Sequence, residues 1–177
     1  MADPINCFVA YPSNPRALAE IIEKSITRIN TEGEGLVIAH GWKELGVTGK
    51  LIIKEVCAAI DNSQLFICDL TYLNPNVLFE LGYAIAHDKR VWITLDTSYD
   101  ESKQNYDKFS LLRGVGYAGY QNADHLVNLF FQQHPYDDVR ETIYSKIINS
   151  SDSTRDQHNT ILYLKSRVET QASIDLS

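Results

Sequence analysis

Residues 69–92, DLTYLNPNVLFELGYAIAHDKRVW, decide how the rest of the chain is read. They follow a short apolar run, 65–68 (LFIC), of the length of a buried strand, and they lead into another, 90–95. Between the two, Asn74 is a good helix N-cap. Pro75 suits the first helical position, where its missing N–H leaves no gap in the hydrogen bonding. At about 100° per residue, Val77, Leu78, Leu81, Ala84 and Ile85 share one side of that helix, and Asn76, Glu80, Tyr83 and His87 form a stripe beside it. Glu80 is therefore expected at the margin of a packed face, where a working carboxylate can be held in place.

Working outward, short apolar runs recur at 7–11, 36–39, 65–69 and 91–95. Helical periodicity fills the gaps. Leu18, Ile21, Ile22, Ser25, Ile26 and Ile29 mark a helix over 16–29, with Ser13 or Asn14 as its cap and Gly33 and Gly35 at its end. Leu51, Ile52, Val56, Ala59 and Ile60 mark a second over 49–62, after a loop (40–48) that carries Trp42. Beyond Asp96, residues 97–108 are polar and acidic and read as a loop. A fifth strand is expected near 115–120, and helices over 124–133 and 137–148. The run 149–160, NSSDSTRDQHNT, has the composition of a linker. The expected organisation is thus one domain over 1–148, followed over 149–177 by a polar linker and tail, or the start of a further segment, through which a further domain or partner could attach.

Strands of four to six residues alternating with longer helices indicate a parallel sheet covered on both faces. About five strands in a flavodoxin-like order, 2-1-3-4-5, are expected. In such sheets ligands bind beyond the carboxyl ends of strands 1 and 3. Those ends carry Tyr11, Pro12, Ser13 and Asn14 on one side and Asp69, Leu70 and Thr71 on the other, with Glu80's helix starting nearby.

Composition narrows the class. The chain has 177 residues, 44% hydrophobic and 22% charged, enough for a sizeable core. A net charge of −7 argues against a general nucleic-acid binder. No apolar run reaches the ~18 residues of a membrane span, and the start MADP lacks a signal peptide's basic residues, so a cytoplasmic protein is expected. Cys7, Cys57 and Cys68, an odd count in apolar segments, read as reduced core residues, and no spacing suggests a metal site.

Two motifs are weak. Gly114, Gly116 and Gly119 match GxGxxG but lack the strand–turn–helix setting of a dinucleotide fingerprint. Gly46, Gly49 and Lys50 lack the phosphate-loop spacing. Asp69, ending a strand, would suit a phospho-accepting receiver domain, yet the acidic cluster such domains need after the first strand is replaced here by Tyr11, Pro12, Ser13 and Asn14. Asp69 either caps the following turn or meets a ligand hydroxyl. Trp42 is either packing or a stacking platform. Arg16 stands where a phosphate could approach a helix start.

The run 74–84, NPNVLFELGYA, resembles the glutamate-bearing helix of two related groups, the TIR-like predicted nucleotide-binding domains and the nucleoside 2-deoxyribosyltransferases. The first strand's FVAY, 8–11, resembles the opening strand of TIR domains. The resemblance spans roughly 6–96 and is strongest over 69–92. It implies a flavodoxin-like fold whose glutamate, here Glu80, acts at an N-glycosidic bond, the nicotinamide–ribose link of NAD in TIR enzymes. The transferases commonly carry aspartate where this chain has Asn74.

On that resemblance the expected function is NAD cleavage in a bacterial defence or signalling effector, with NAD as substrate, no cofactor, and self-association. Glu80 would act at the ribose. Tyr11, Pro12, Ser13 and Asn14 would line the pocket and Trp42 cover it. Asp69, Asn74, Asn76 and Tyr83 complete the candidate substrate contacts. Two alternatives stay open: a non-catalytic nucleotide-binding or assembly module, and a nucleoside N-glycosidase or transferase.

Overall fold

A computed structural model describes residues 3–45, 51–108, 115–137 and 141–145. The elements run β1 (Ile5–Ala10), α1 (Arg16–Glu32), β2 (Val37–Gly41), a single 3₁₀ turn (Trp42–Glu44), α2 (Ile52–Asp61), β3 (Leu65–Asp69), α3 (Pro75–Ala86), β4 (Arg90–Asp96), α4 (Ser102–Lys108), β5 (Ala118–Tyr120) and α5 (Ala123–Gln133). The five strands form one sheet in the order 2-1-3-4-5, every neighbouring pair parallel. This is the flavodoxin-like layout that the alternation of strand and helix predicts.

The central strand explains the sheet. All five residues of β3, LFICD, are buried, as expected of a parallel strand covered on both faces. Alternate side chains feed two cores. Cys7, Val9, Leu65 and Ile67 pack with Leu18, Ile22, Ile26 and Ile29 of α1 and with Leu126, Val127 and Phe130 of α5. Phe8, Ala10, Phe66 and Cys68 pack with Val56 and Ile60 of α2 and with Val77, Leu81, Ala84 and Ile85 of α3. Phe8 and Phe66 stack across β1 and β3 at 6.3 Å.

Three local expectations are corrected. The N-cap of α1 is Pro15, with no side-chain cap; Asn14 Nδ2 instead donates to Ser13 Oγ at 3.3 Å. Residues 97–108 are not all loop, because α4 forms there. Tyr106, buried among otherwise polar residues, anchors it by donating its hydroxyl to Val115 O at 2.5 Å. A single apolar anchor in an acidic run gives no periodicity to read. Finally, Leu78 is only half-buried whereas Glu80 and Tyr83 are buried, so α3 is turned further toward its polar stripe than the apolar pattern suggests.

The described part of the glycine motif, with Gly116 and Gly119, runs into β5 rather than a helix. Half of the helix expected over 137–148, and all of the tail over 149–177, lie outside the described residues. Among those described, no helix is long and apolar enough to cross a membrane.

Candidate functional site

The site is built from the carboxyl ends of the strands. Asn74 opens α3 there, accepting from Asn76 N at 3.0 Å and Val77 N at 3.4 Å through Oδ1, with Pro75 at the first helical position. That cap fixes the start of the helix and hence where Glu80, in its second turn, lies. Glu80 is only 9% exposed. It lies on the α2–α3 side of the sheet, close enough to Cys57 and Cys68 to raise both thiols, although burial is the larger cause for each.

Among the described residues the Glu80 carboxylate has neither a hydrogen bond nor an ion pair. Among the described residues no fully occluded side-chain oxygen or nitrogen is left without a partner, so Glu80's unpartnered oxygens are not fully occluded. Burial alone pushes its pKa from 4.5 up to about 7. A nearly enclosed carboxylate with no partner adds nothing to the hydrogen bonding of the fold, which makes Glu80 a candidate for a ligand.

The other candidates separate into groups. Tyr11 is buried, its hydroxyl donating to Glu23 Oε1 at 3.3 Å, and its ring tilts against Trp42 at 6.0 Å. The close passage of β2 permits this: a Cβ on Gly41 would come within 3.0 Å of the Tyr11 ring. Trp42 is half-buried and packs against both cores, with Lys43 over its ring and paired to Glu23. Pro12 is buried, and Ser13 and Asn14 are exposed at the uncapped start of α1. Arg16 pairs with Glu20 in solvent. The stretch 46–50 lies outside the described residues.

Asp69 stands apart from Glu80. Strand alternation turns it to the opposite, α1–α5 face, where it is 2% exposed. Tyr120 Oη donates to its Oδ2 at 2.7 Å, Thr94 Oγ1 to the same oxygen at 3.3 Å, and Thr71 N to Oδ1 at 3.1 Å. Burial raises its pKa to about 6 against the pull of these donors. Its hydrogen bonds thus join β3, β4 and β5 and cap the turn at Thr71. Tyr83 is directed away as well. Its hydroxyl donates to Asp61 Oδ2 at 2.8 Å, and its ring stacks on His87 at 4.0 Å, with His87 Nδ1 2.8 Å from Asp61 Oδ1. Asn76 is exposed in the first turn of α3.

Two features escape a reading by pattern. One is the setting of Glu80 beside Cys57 and Cys68, which needs the packing of α2 on α3. The other is a rim pair, Tyr72 and Tyr99, whose rings meet edge to face at 4.9 Å. A cavity of about 460 Å³ lies at the other end of the sheet, by Arg90, Trp92, Tyr117, Gln133 and Ile143. It is remote from the carboxyl-end crevice where such folds bind ligands. No group of His, Cys, Asp and Glu among the described residues is arranged to hold a metal ion.

No protein-family model matches the chain, and no curated protein matches it. Solved structures do. The Clostridium botulinum CMP N-glycosidase BcmB aligns with a TM-score of 0.53 at 20% identity, over 72% of this chain and 98% of that one. The TIR domains of the activated Roq1 resistosome, which directly recognises the pathogen effector XopQ, align with a TM-score of 0.55 at 11% identity, over 73% and 99%. This chain shares its fold with TIR domains and with a nucleotide N-glycosidase.

Proposed function

We propose that the protein hydrolyses an N-glycosidic bond of a nucleotide, and that the bond is the nicotinamide–ribose link of NAD. The observation that carries this reading is Glu80: nine-tenths buried, unpartnered among the described residues, and not fully occluded. As the C–N bond breaks, its electron pair passes to the pyridinium nitrogen, which becomes neutral. Positive charge grows on the anomeric carbon. An ionised Glu80 stabilises that charge or traps the carbon as an ester, and water completes the hydrolysis and releases a proton. Nicotinamide leaves without protonation, so one carboxylate suffices. Asp69, on the other face of the sheet and already hydrogen-bonded, is not needed as a second acid. In this reading Ser13 and Asn14, exposed at the start of α1, would meet the ribose or phosphates.

A purely structural module fits less well, because a buried, unpartnered carboxylate lowers stability without serving a scaffold. The fold shared with a CMP N-glycosidase favours a second reading, release of an ordinary base from a mononucleotide, and Glu80's raised pKa would let it act as the acid that such a base needs. The two readings differ in sign. If Glu80 acts ionised, kcat/KM for NAD rises with pH through about 7 and then levels. If it acts as an acid, activity falls through the same range.

The test is nicotinamide release from NAD by purified protein beside Glu80→Gln, with CMP and a deoxynucleoside as controls. Loss of roughly 10²-fold or more in the variant is expected. Full activity in Glu80→Gln, or base release from the controls at the NAD rate, would overturn the assignment. Self-association, as in the resistosome whose TIR domains share this fold, belongs to the same proposal.

A further inference from the structure

Glu80's burial depends on how α2 lies against α3, and polar groups that the reaction does not use fasten the two helices at one end. Val56 and Ile60 of α2 share a core with Val77, Leu81 and Ala84 of α3. Apolar packing is non-directional, so it does not by itself fix how far α2 stands from one carboxylate. At the carboxyl ends of the two helices the contact is directional. Tyr83 Oη donates to Asp61 Oδ2 at 2.8 Å. His87 stacks on the Tyr83 ring at 4.0 Å and brings Nδ1 within 2.8 Å of Asp61 Oδ1. Lys89 Nζ donates to Asp61 O at 2.6 Å. The last residue of α2 is thus held by three residues at and just beyond the end of α3.

The same tyrosine leads from Asp61 to Glu80. Cys57, one turn earlier on the same side of α2, is within hydrogen-bond reach of the Tyr83 hydroxyl, and the charge of Glu80 also acts on it. Tyr83 in turn follows Glu80 by one turn of α3. Asp61, Tyr83, Cys57 and Glu80 therefore gather along one seam. The titratable groups that act together with Glu80 are Cys57 from α2 and Cys68 from β3, both held neutral chiefly by burial. Burial is also what raises the pKa of Glu80; the charge of Asp61 is not.

We propose that Asp61 is a positioning residue: through Tyr83 it holds α2 against α3 and so keeps Glu80 enclosed for the reaction. This rests on the glycosidase reading and adds to it a residue that meets neither substrate nor the reacting atoms. If the seam loosens, water reaches Glu80 and its carboxyl returns toward its ordinary range. The side chains of Asp61 and His87 are 44% and 37% exposed, so cutting this hold leaves the apolar packing of Val56 and Ile60 in place.

The experiment follows the Glu80 carboxyl of the full chain by ¹³C NMR as pH is varied, its signal assigned by its loss in Glu80→Gln. The parent should titrate at about 7. Asp61→Ala and Tyr83→Phe should each lower that midpoint by about one pH unit or more, and the double variant should lower it no further. Asp61→Asn removes the charge but keeps an oxygen that accepts from Tyr83 Oη, and should titrate like the parent. The rising limb of kcat/KM for NAD should move with the carboxyl in each variant. An unchanged midpoint in Asp61→Ala overturns the proposal. So does equal lowering in Asp61→Asn and Asp61→Ala, which would make the charge and not the hold responsible. The two readings fail separately. The expected shifts in a protein that releases no nicotinamide would sink the glycosidase and leave Asp61's hold on Glu80 standing. Nicotinamide release with a midpoint indifferent to Asp61 would do the reverse. If thermal melts show Asp61→Ala to be unfolded, Tyr83→Phe, which cuts the same bond from α3, decides by the same criterion.

Discussion

Glu80 carries a thermodynamic signature that can be measured without substrate. Its carboxyl has a pKa of about 7 in the fold against 4.5 when unperturbed, so between these values the folded chain holds a proton that the unfolded chain releases. The stability linked to this group is fully present below about pH 4.5 and is lost as pH rises through about 7, a difference on the order of 3 kcal/mol. Glu80→Gln has no such charge to bury. We expect its melting temperature to exceed that of the parent at about pH 8 and to match it near pH 4, with the gap opening around the pKa. Asp69, also raised, contributes in the same direction but is present in both proteins, so the difference isolates Glu80. Equal melting curves at both pH values would mean that Glu80 is better solvated than its burial implies.

At the scale of elements, two devices hold the site. The Asn74 cap sets the start of α3. Asn74→Ala should lower unfolding free energy by about 1 kcal/mol, and Asn74→Asp, which also caps well, should restore it. Because Oδ1 is already committed to the cap, the Asn74→Ala loss is expected in urea unfolding, with Asn74→Asp leaving KM near that of the parent. The second device is the buried bond from Tyr120 to Asp69, which fastens the short edge strand β5 to β3 across β4. Tyr120→Phe removes the closest donor to a carboxylate enclosed in the core and should destabilise by roughly 1–3 kcal/mol. The loss should be larger above about pH 6, where Asp69 is ionised, than at about pH 4.5, where it is protonated. A loss of the same size at both pH values would show that Asp69 stays neutral.

For the whole molecule the open question is whether one copy is enough. If self-association completes the site, nicotinamide released per molecule should rise with protein concentration and then level. Sedimentation measured over the same range should show assembly in step with it. Activity per molecule that does not change with concentration would mean that a single chain is sufficient.

The division between what sequence and structure decide follows from the range of the interactions. The five strands, the main helices, the order 2-1-3-4-5 and the Asn74 cap were legible in the sequence, since period, turn chemistry and short crossovers are local. The cap of α1 was not, because Ser13 and Asn14 are both good capping residues and the sequence does not say that they bond to each other. Nor was α4, whose single anchor, Tyr106, finds its partner at Val115. For the site, the sequence singled out Asp69 but left open whether it served a turn or a ligand. The answer lay with Tyr120, fifty-one residues away. Glu80's environment was hidden for the same reason: desolvation is produced by α2, α3 and β3 together, and no spacing in the sequence encodes it. Tyr72 stood in plain view within DLTYLNP, yet only the meeting of the β3 and β4 loops sets it against Tyr99. Local patterns determined which residues could do chemistry, and tertiary packing decided which of them are free to do it.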